Sequence, residues 1–166
     1  MVIQALTVSW NYAVGNDHTR GGGISSENGN VTIINAEISH NTADAVGSSS
    51  VALGGGIYIE GSTLELTGVL VSENTANSRV HMGYGGGMYI GNSGSGTTTT
   101  ILNSTITANH ITARQAGRGG GIYSYGSLTM GNSTLSNNTV TASSTLSGGA
   151  LYSEGSGSTS RSTTPH

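Results

Sequence analysis

Short alternations of apolar and polar residues recur along this chain at a nearly constant spacing. An aliphatic residue closes a glycine phrase five times, at Ile24, Ile57, Met88, Ile122 and Leu151. These positions are separated by 33, 31, 34 and 29 residues. Such a period is typical of stacked units, none of which buries its hydrophobic face alone. The pattern therefore predicts a repeat fold.

A second phrase keeps step with the first. It reads aliphatic, hydroxyl, any residue, asparagine, and it ends at Asn11, Asn41, Asn74, Asn109 and Asn138. Two phrases that hold a nearly fixed offset over five copies are not a product of composition. The chain therefore contains five copies of one structural unit.

The unit from Gly54 to Tyr84 shows the elements most clearly. Three short alternating segments begin near Ile57, Thr63 and Val69, and glycine or serine separates them. These are strand signals. The segment from Asn77 to Tyr84 is predicted to be a longer third loop that absorbs the differences in spacing.

The fold class that follows is all-β: a right-handed, single-stranded parallel β-helix of about five three-strand coils with variable third loops and open ends. We assign residues 1–154 to this β-helix. Residues 155–166 are rich in Ser, Thr and Gly and are predicted to form a disordered tail.

Three inward ladders should fill the core, because like residues of adjacent coils lie ~4.8 Å apart. The first-strand ladder contains Ile24, Ile57, Met88, Ile122 and Leu151. The second-strand ladder contains Ile3, Ile33, Leu66, Ile101 and Met130. The third-strand ladder contains Val8, Ile38, Val71, Ile106 and Leu135.

The five repeated asparagines follow each third strand, where the chain must turn. Asparagine tolerates left-handed backbone, and its amide can bond turn backbone and the asparagine of the next coil. We therefore predict a structural asparagine ladder. The functional alternative is a row of polar ligands.

Four tyrosines each follow an inward aliphatic residue and should point outward in one column: Tyr58, Tyr89, Tyr123 and Tyr152. The first coil has Ser25 at this place. Three interpretations stay open, namely stacking against sugar rings, assembly with a neighbouring molecule, and simple packing on a β surface.

Composition narrows the partners. The net charge is -3, all five basic residues are Arg, and there is no Cys. A nucleic-acid partner requires a basic face, and a membrane-spanning helix requires ~20 apolar residues. The sequence shows neither feature, so we expect no nucleic-acid partner and no insertion into a membrane. No disulfide or thiolate site is possible.

The sequence offers no catalytic constellation. The candidate carboxylates are scattered over different strands and loops, at Glu37, Asp44, Glu60, Glu65 and Glu73. The five histidines show no metal-ligand spacing. We expect no catalytic residue, no cofactor and no metal. Ice binding is a lesser alternative, since the outward column of Thr32, Thr100 and Thr129 is interrupted by Glu65.

The paired phrases resemble the GGA(I/L/V) and FxxN repeats of polymorphic outer-membrane proteins, the passenger segments of surface autotransporters. The resemblance covers about residues 1 to 155, and an aliphatic residue replaces the aromatic of FxxN throughout. It implies surface exposure and adhesion or assembly, and it carries over no catalytic residue.

The expected function is therefore a non-enzymatic extracellular or cell-surface structural β-solenoid. Bare end coils predict head-to-tail stacking with further copies into a filament, or a place in an adhesin-like stalk. The alternatives are a protein that binds or acts on carbohydrate, as pectate-lyase-like β-helices do, with glycans or a host surface as partner.

Overall fold

The computed structural model describes residues 1–91 and 96–154, and it is an all-β parallel β-solenoid. The described residues form 25 strands and no helix. The predicted fold class is therefore confirmed. The predicted tail, residues 155–166, lies outside the described residues.

The strands group into five coils of five. The first coil contains β1 (Val2–Gln4), β2 (Thr7–Ser9), β3 (Tyr12–Gly15), β4 (Thr19–Arg20) and β5 (Ile24–Glu27). The second contains β6 (Val31–Ile34), β7 (Glu37–Ser39), β8 (Thr42–Ala45), β9 (Ala52–Leu53) and β10 (Ile57–Glu60). The third contains β11 (Thr63–Thr67), β12 (Leu70–Ser72), β13 (Thr75–Ser78), β14 (Gly83–Tyr84) and β15 (Met88–Gly91).

The last two coils repeat this order. The fourth contains β16 (Thr98–Leu102), β17 (Thr105–Thr107), β18 (His110–Ala113), β19 (Ala116–Arg118) and β20 (Ile122–Ser124). The fifth contains β21 (Ser127–Gly131), β22 (Thr134–Ser136), β23 (Thr139–Ala142), β24 (Thr145–Ser147) and β25 (Leu151–Ser153).

Equivalent strands of successive coils pair in parallel and build five sheets, which we name A to E in the order of the strands within a coil. Sheet A thus holds the first strand of each coil and sheet E the fifth. The predicted inward ladders are confirmed by the register. For example, Ile57 pairs with both Ile24 and Met88, and Val71 pairs with both Ile38 and Ile106.

The cross-section has two separate apolar compartments. The larger one lies between sheets A, B and E and contains the three predicted ladders. The smaller one lies between sheets C and D and is built mainly from alanine, with Ile111 as its large buried residue. Opposite Ile111, sheet D has Gly83, where an added Cβ would lie 2.7 Å from the isoleucine Cγ2. A large residue in one sheet is thus accommodated by glycine in the other.

The prediction of a long third loop is wrong in detail, because it contains two further strands per coil. In the third coil, Asn77 lies within β13, and the segment ends in β14. These strands escape hydrophobic pattern recognition because their compartment is filled by small side chains. Coils therefore have five strands, not three.

Candidate functional site

The five asparagines form one hydrogen-bonded column along the solenoid axis. Asn74 donates from Nδ2 to Asn109 Oδ1 at 3.0 Å and to the Ile38 carbonyl at 2.8 Å. Its backbone N–H also donates to Asn109 Oδ1 at 3.0 Å. Asn41 repeats the pattern with Asn74, and both side chains are fully buried. Each inner amide therefore has all its hydrogen-bonding groups satisfied.

The left-handed residue of this corner is the one before the asparagine, not the asparagine itself. Trp10, His40, Glu73, Ala108 and Asn137 have φ between 53° and 60°. The asparagine was expected to tolerate the turn, but its role in the structure is to bond the coils together. No sequence pattern marks the preceding position, because its residue type changes in every coil.

The glycine phrase and the asparagine column touch each other. A Cβ added at Gly56 would lie 2.9 Å from the Asn74 amide, and one at Gly55 would lie 2.3 Å from the Gly86 carbonyl oxygen. The glycines of one coil thus allow the backbone to cross beside the asparagine of the next. We call this line of glycines and asparagines, which separates the two apolar compartments, the seam. The seam explains why both phrases recur at one offset.

The four tyrosines also stack in one column, as predicted. Their ring centroids are 5.2 Å apart for Tyr58 and Tyr89, 5.1 Å for Tyr89 and Tyr123, and 5.5 Å for Tyr123 and Tyr152. The first three rings are nearly parallel, at 4° and 1°. Gly91 leaves room for this arrangement, because a Cβ there would lie 2.6 Å from the Tyr89 ring.

The tyrosine column is largely covered, which corrects the expectation of an outward stripe. Tyr58 is 1% exposed and Tyr123 is 6% exposed. Two residues of sheet D cover the column. Leu53 lies in one apolar cluster with Tyr58, and the Tyr84 ring packs against the Tyr123 ring. The expectation did not include a cover because the sheet D strands were taken as loop.

Arginines contact both end rings of the tyrosine column. The Arg20 guanidinium lies 5.5 Å from the Tyr58 ring centroid, and that of Arg118 lies 5.2 Å from the Tyr152 ring. Each arginine is paired with a carboxylate, Arg20 with Glu27 at 2.9 Å and Arg118 with Glu154 at 3.4 Å. Cation–π contacts of this kind stabilise aromatic faces.

The pKa values of Tyr58, Tyr89 and Tyr123 are raised above that of a free tyrosine. Burial raises the pKa of Tyr89 to about 12. Burial, followed by a hydrogen bond to Glu154, raises the pKa of Tyr123 further. Tyr58 behaves in the same way, with Glu60 as its acceptor. The arrangement is that of a packed aromatic ladder, and its burial leaves a ligand little access to it.

A buried carboxylate lies on sheet C. The Asp44 side chain is 2% exposed, and its oxygens accept hydrogen bonds from Arg79 at 2.7 Å, Asn77 at 2.8 Å and the Tyr12 hydroxyl. The hydrogen bond from Arg79, the largest cause, holds the pKa of Asp44 below its usual value. Asp44 thereby links side chains from the first three coils.

An exposed aromatic cluster lies at the corner between sheets B and C. Trp10 is 76% exposed, and one face of its indole stacks on the His40 ring, with centroids 4.2 Å apart at 20°. His40 Nε2 lies 2.9 Å from Glu73 Oε2. Tyr12, two residues after the tryptophan, is 60% exposed. Sequence reasoning missed this cluster, although Trp10 is the sole tryptophan of the chain.

The remaining predicted candidates do not converge. Glu37 accepts a hydrogen bond from Ser39, and Glu65 is exposed on sheet A. His18 contacts Asp17, and His110 contacts Thr139. Within residues 1–91 and 96–154, no three His, Asp or Glu side chains are grouped as a metal site would require.

A membrane-crossing helix is also not found in the part of the chain that the structure describes.

A shallow open groove of about 460 Å³ runs along the corner between sheets A and B. Its lining includes Leu6, Ala36, Glu37 and Leu70. Of these, only Glu37 carries a charge.

The first and fifth coils each have one side that no described residue covers. Asn11 is exposed, and its Oδ1 receives no hydrogen bond from the described residues, while Asn41, Asn74 and Asn109 are fully buried. Leu146 pairs with Gly117 of sheet D, in the inward column of the smaller compartment, yet it is 56% exposed. These coils expose the interior pattern of the solenoid.

Comparison with known proteins yields no family model, no curated protein and no solved structure that matches this chain.

Proposed function

We propose that this protein is a non-enzymatic structural β-solenoid whose coils stack end-on with a second copy of the chain, which would extend all five sheets into a filament. The observation that carries the proposal is that sheets A to E each have five strands and an unpaired edge strand at both ends among the described residues. Unpaired edges are templates for pairing with another chain. A head-to-tail contact of this kind does not close on itself and so continues.

The hydrogen bonds of the seam support a head-to-tail orientation of the stacked copies. Within the chain, the asparagine of each coil donates from its backbone N–H and Nδ2 to the Oδ1 of the next asparagine. The first coil therefore offers the Asn11 Oδ1 acceptor. The fifth coil offers the Asn138 N–H and one hydrogen of its Nδ2, since the other is donated to the Ile106 carbonyl. Head-to-tail stacking matches these donors with that acceptor, whereas head-to-head stacking does not.

The apolar groups of the two open coils support it as well. The inward residues Ile3 and Val8 in the first coil, and Met130, Leu135 and Leu151 in the fifth, are only partly buried against the core. Leu146 is more exposed still. Covering apolar surface stabilises by roughly 25 cal/mol per Å². End-on contact would therefore bury these ladders as the middle coils bury theirs.

One position of the junction differs from the interior of the chain. In the first four coils the third glycine of the phrase contacts the asparagine of the following coil, but the fifth coil has Ala150 there. In a stack, the Ala150 methyl group would crowd Asn11 of the next copy. At the other four positions glycine has no Cβ, so this close contact does not arise. We expect Ala150→Gly to strengthen stacking.

We also propose that the solenoid acts outside the cell or at its surface, as an assembled fibre or as an adhesin-like stalk. Support comes from the resemblance of the glycine and asparagine phrases to outer-membrane repeats. The pairing of acidic side chains is a further support for a structural role. Asp44 pairs with Arg79, Glu27 with Arg20 and Glu154 with Arg118, which leaves these carboxylates engaged.

Light scattering and electron microscopy of the purified chain test the stacking proposal. We expect mass to increase with concentration and fibres one solenoid wide. Leu146→Glu should prevent growth, because it puts a charge on the open fifth coil. Leu102→Glu is the matched control, since Leu102 is 40% exposed on the side of sheet A and should not affect growth. A stable monomer at high concentration would overturn the proposal.

A further inference from the structure

The most exposed large apolar side chain of the described residues is also held in a fixed orientation. Trp10 stacks with one indole face on His40, and its 76% exposure leaves the opposite face open to solvent. The Trp10 backbone has φ 60°, and the backbone N–H of Trp10 donates to the Ser39 carbonyl at 3.3 Å. An aromatic ring that is ordered before binding loses little conformational entropy when a ligand stacks on it.

The support under the ring is itself supported. His40 is held at 2.9 Å by the Glu73 carboxylate, so three successive coils contribute one side chain each to the cluster. Trp10, His40 and Glu73 occupy the same corner position of their coils, before Asn11, Asn41 and Asn74. The indole plane is therefore fixed relative to the solenoid and not free to rotate as an isolated surface tryptophan would be.

The residues on either side of Trp10 in the chain are polar and uncharged. Ser9 precedes Trp10, and Asn11, which follows it, is exposed, with an Oδ1 that receives no hydrogen bond from the described residues. A flat aromatic face with hydroxyl and amide groups beside it suits a ligand with one apolar face and many hydroxyls.

From these observations we propose that Trp10 forms a binding platform for a neutral hexopyranose unit of a polysaccharide. The axial C–H face of the sugar ring stacks on the open indole face. The sugar hydroxyls bond to the polar groups at the rim. Trp10 contacts the ligand, whereas His40 and Glu73 are positioning residues that hold the indole plane.

The inference does not rest on the stacking proposal, and the two compete for one face. A second copy stacked on the first coil would place its Asn137 over the open face of Trp10, because Asn137 occupies the same corner position in the fifth coil. A bound sugar therefore blocks that end of the solenoid. The Leu146→Glu variant separates the two, because it removes stacking from the opposite end and leaves Trp10 open.

The sole tryptophan is a direct reporter of binding. We would titrate the Leu146→Glu chain with cellohexaose, mannohexaose and chitohexaose while recording tryptophan emission, and measure affinity by calorimetry. We expect at least one hexaose to change the emission saturably. Trp10→Ala should weaken the calorimetric affinity by about tenfold or more, as for an aromatic anchor. His40→Ala should weaken it less, with the emission of free Trp10 shifted toward that of a mobile indole.

Tyr125→Ala is the matched control, since Tyr125 is an exposed tyrosine at 44% in another corner, and it should not affect binding. The proposal is overturned if none of the hexaoses binds at up to about 10 mM, which is tenfold above a Kd of 1 mM. It is also overturned if Trp10→Ala binds as well as its parent. Quenching by tetramethylammonium with no response to the sugars would contradict it too, and would assign a cation site instead.

Discussion

The third coil and the fifth coil are built from the same phrases but differ in what surrounds them. Asn74 in the third coil is fully buried and bonded on both sides, whereas Asn138 in the fifth is only half-buried and bonded on one. A Cβ added at Gly86 would clash with the backbone of the next coil, whereas one added at Gly149, at the same place in the phrase, would meet only the Asn138 carbonyl oxygen, at 3.2 Å. The comparison teaches that each coil is completed by its neighbour, as expected for a repeat whose units are stable only in a stack.

The largest effect should come from the buried amide of the seam. Asn74→Asp retains an acceptor but loses the donors to Ile38 and Asn109, and it places a negative charge at a fully buried position. We expect a loss of about 3–5 kcal/mol in the free energy of unfolding, measured in urea. Asn138→Asp should lose about 1 kcal/mol or less, because one side of Asn138 faces solvent. Equal losses would contradict the difference between middle and end coils.

The glycine of the seam should show the next largest effect. A Cβ at Gly86 would lie 2.3 Å from the Gly120 carbonyl oxygen, so Gly86→Ala must separate two backbones. We expect Gly86→Ala to lower the free energy of unfolding by about 3 kcal/mol. Gly149→Ala should cost well under half of that. Thermal unfolding followed by circular dichroism measures both, and a comparable decrease in Tm for the two variants would contradict the assignment of close contact.

Acid should loosen the contacts around Asp44. Its pKa is below the usual value when folded, so its contribution is complete above the ordinary carboxyl pKa of ~3.9 and is lost as pH falls through the lower, folded value. Asp44→Asn should cost about 1–3 kcal/mol at neutral pH, as for hydrogen bonds to a charged group. It should also flatten the dependence of stability on pH below 4. If the variant lost stability below pH 4 as steeply as its parent, that loss would have to come from other carboxylates.

The smallest effect should be a gain. Thr99 lies in the inward column of Leu64 and Leu128, fully buried, and its hydroxyl has no partner among the described residues. Thr99→Val removes this unsatisfied group at nearly constant volume. We expect the free energy of unfolding to rise by about 1 kcal/mol, measured in urea. A loss of stability would mean that the hydroxyl is bonded in solution.

Much of the fold was predictable because the larger apolar compartment gives a clear periodic signal in the sequence. The ladders that begin at Ile3, Val8 and Ile24 use large aliphatic residues at a constant offset, and each pairs as expected. Sheets C and D were not predicted, because their compartment is filled mainly by small residues such as Ala45 and Ala52, which give a weak hydrophobic signal. The register of these strands could have been found from the small residues that follow each asparagine.

The candidate site was predictable in part, and for a related reason. The tyrosine column follows from the repeat, but its burial depends on Arg20, Leu53 and Tyr84 in the strands that were taken as loop. The Trp10 cluster could not be predicted from the repeat, since its corner position has a different residue in each coil. A feature that is not repeated gives no periodic signal.

The central claim, that a second copy completes the open coils, can be tested most directly by cysteine cross-linking, since the chain has no cysteine of its own. Ser9 and Ser136 lie in one column of sheet B, at its two edges. In an end-on stack their Cα atoms would be one strand spacing apart, ~4.8 Å, which a disulfide can span. A mixture of Ser9→Cys and Ser136→Cys chains should form a covalent dimer under mild oxidation. A mixture of Ser9→Cys and Thr129→Cys, whose positions lie in different sheets, should not. A dimer yield that is equal in the two mixtures would contradict the account.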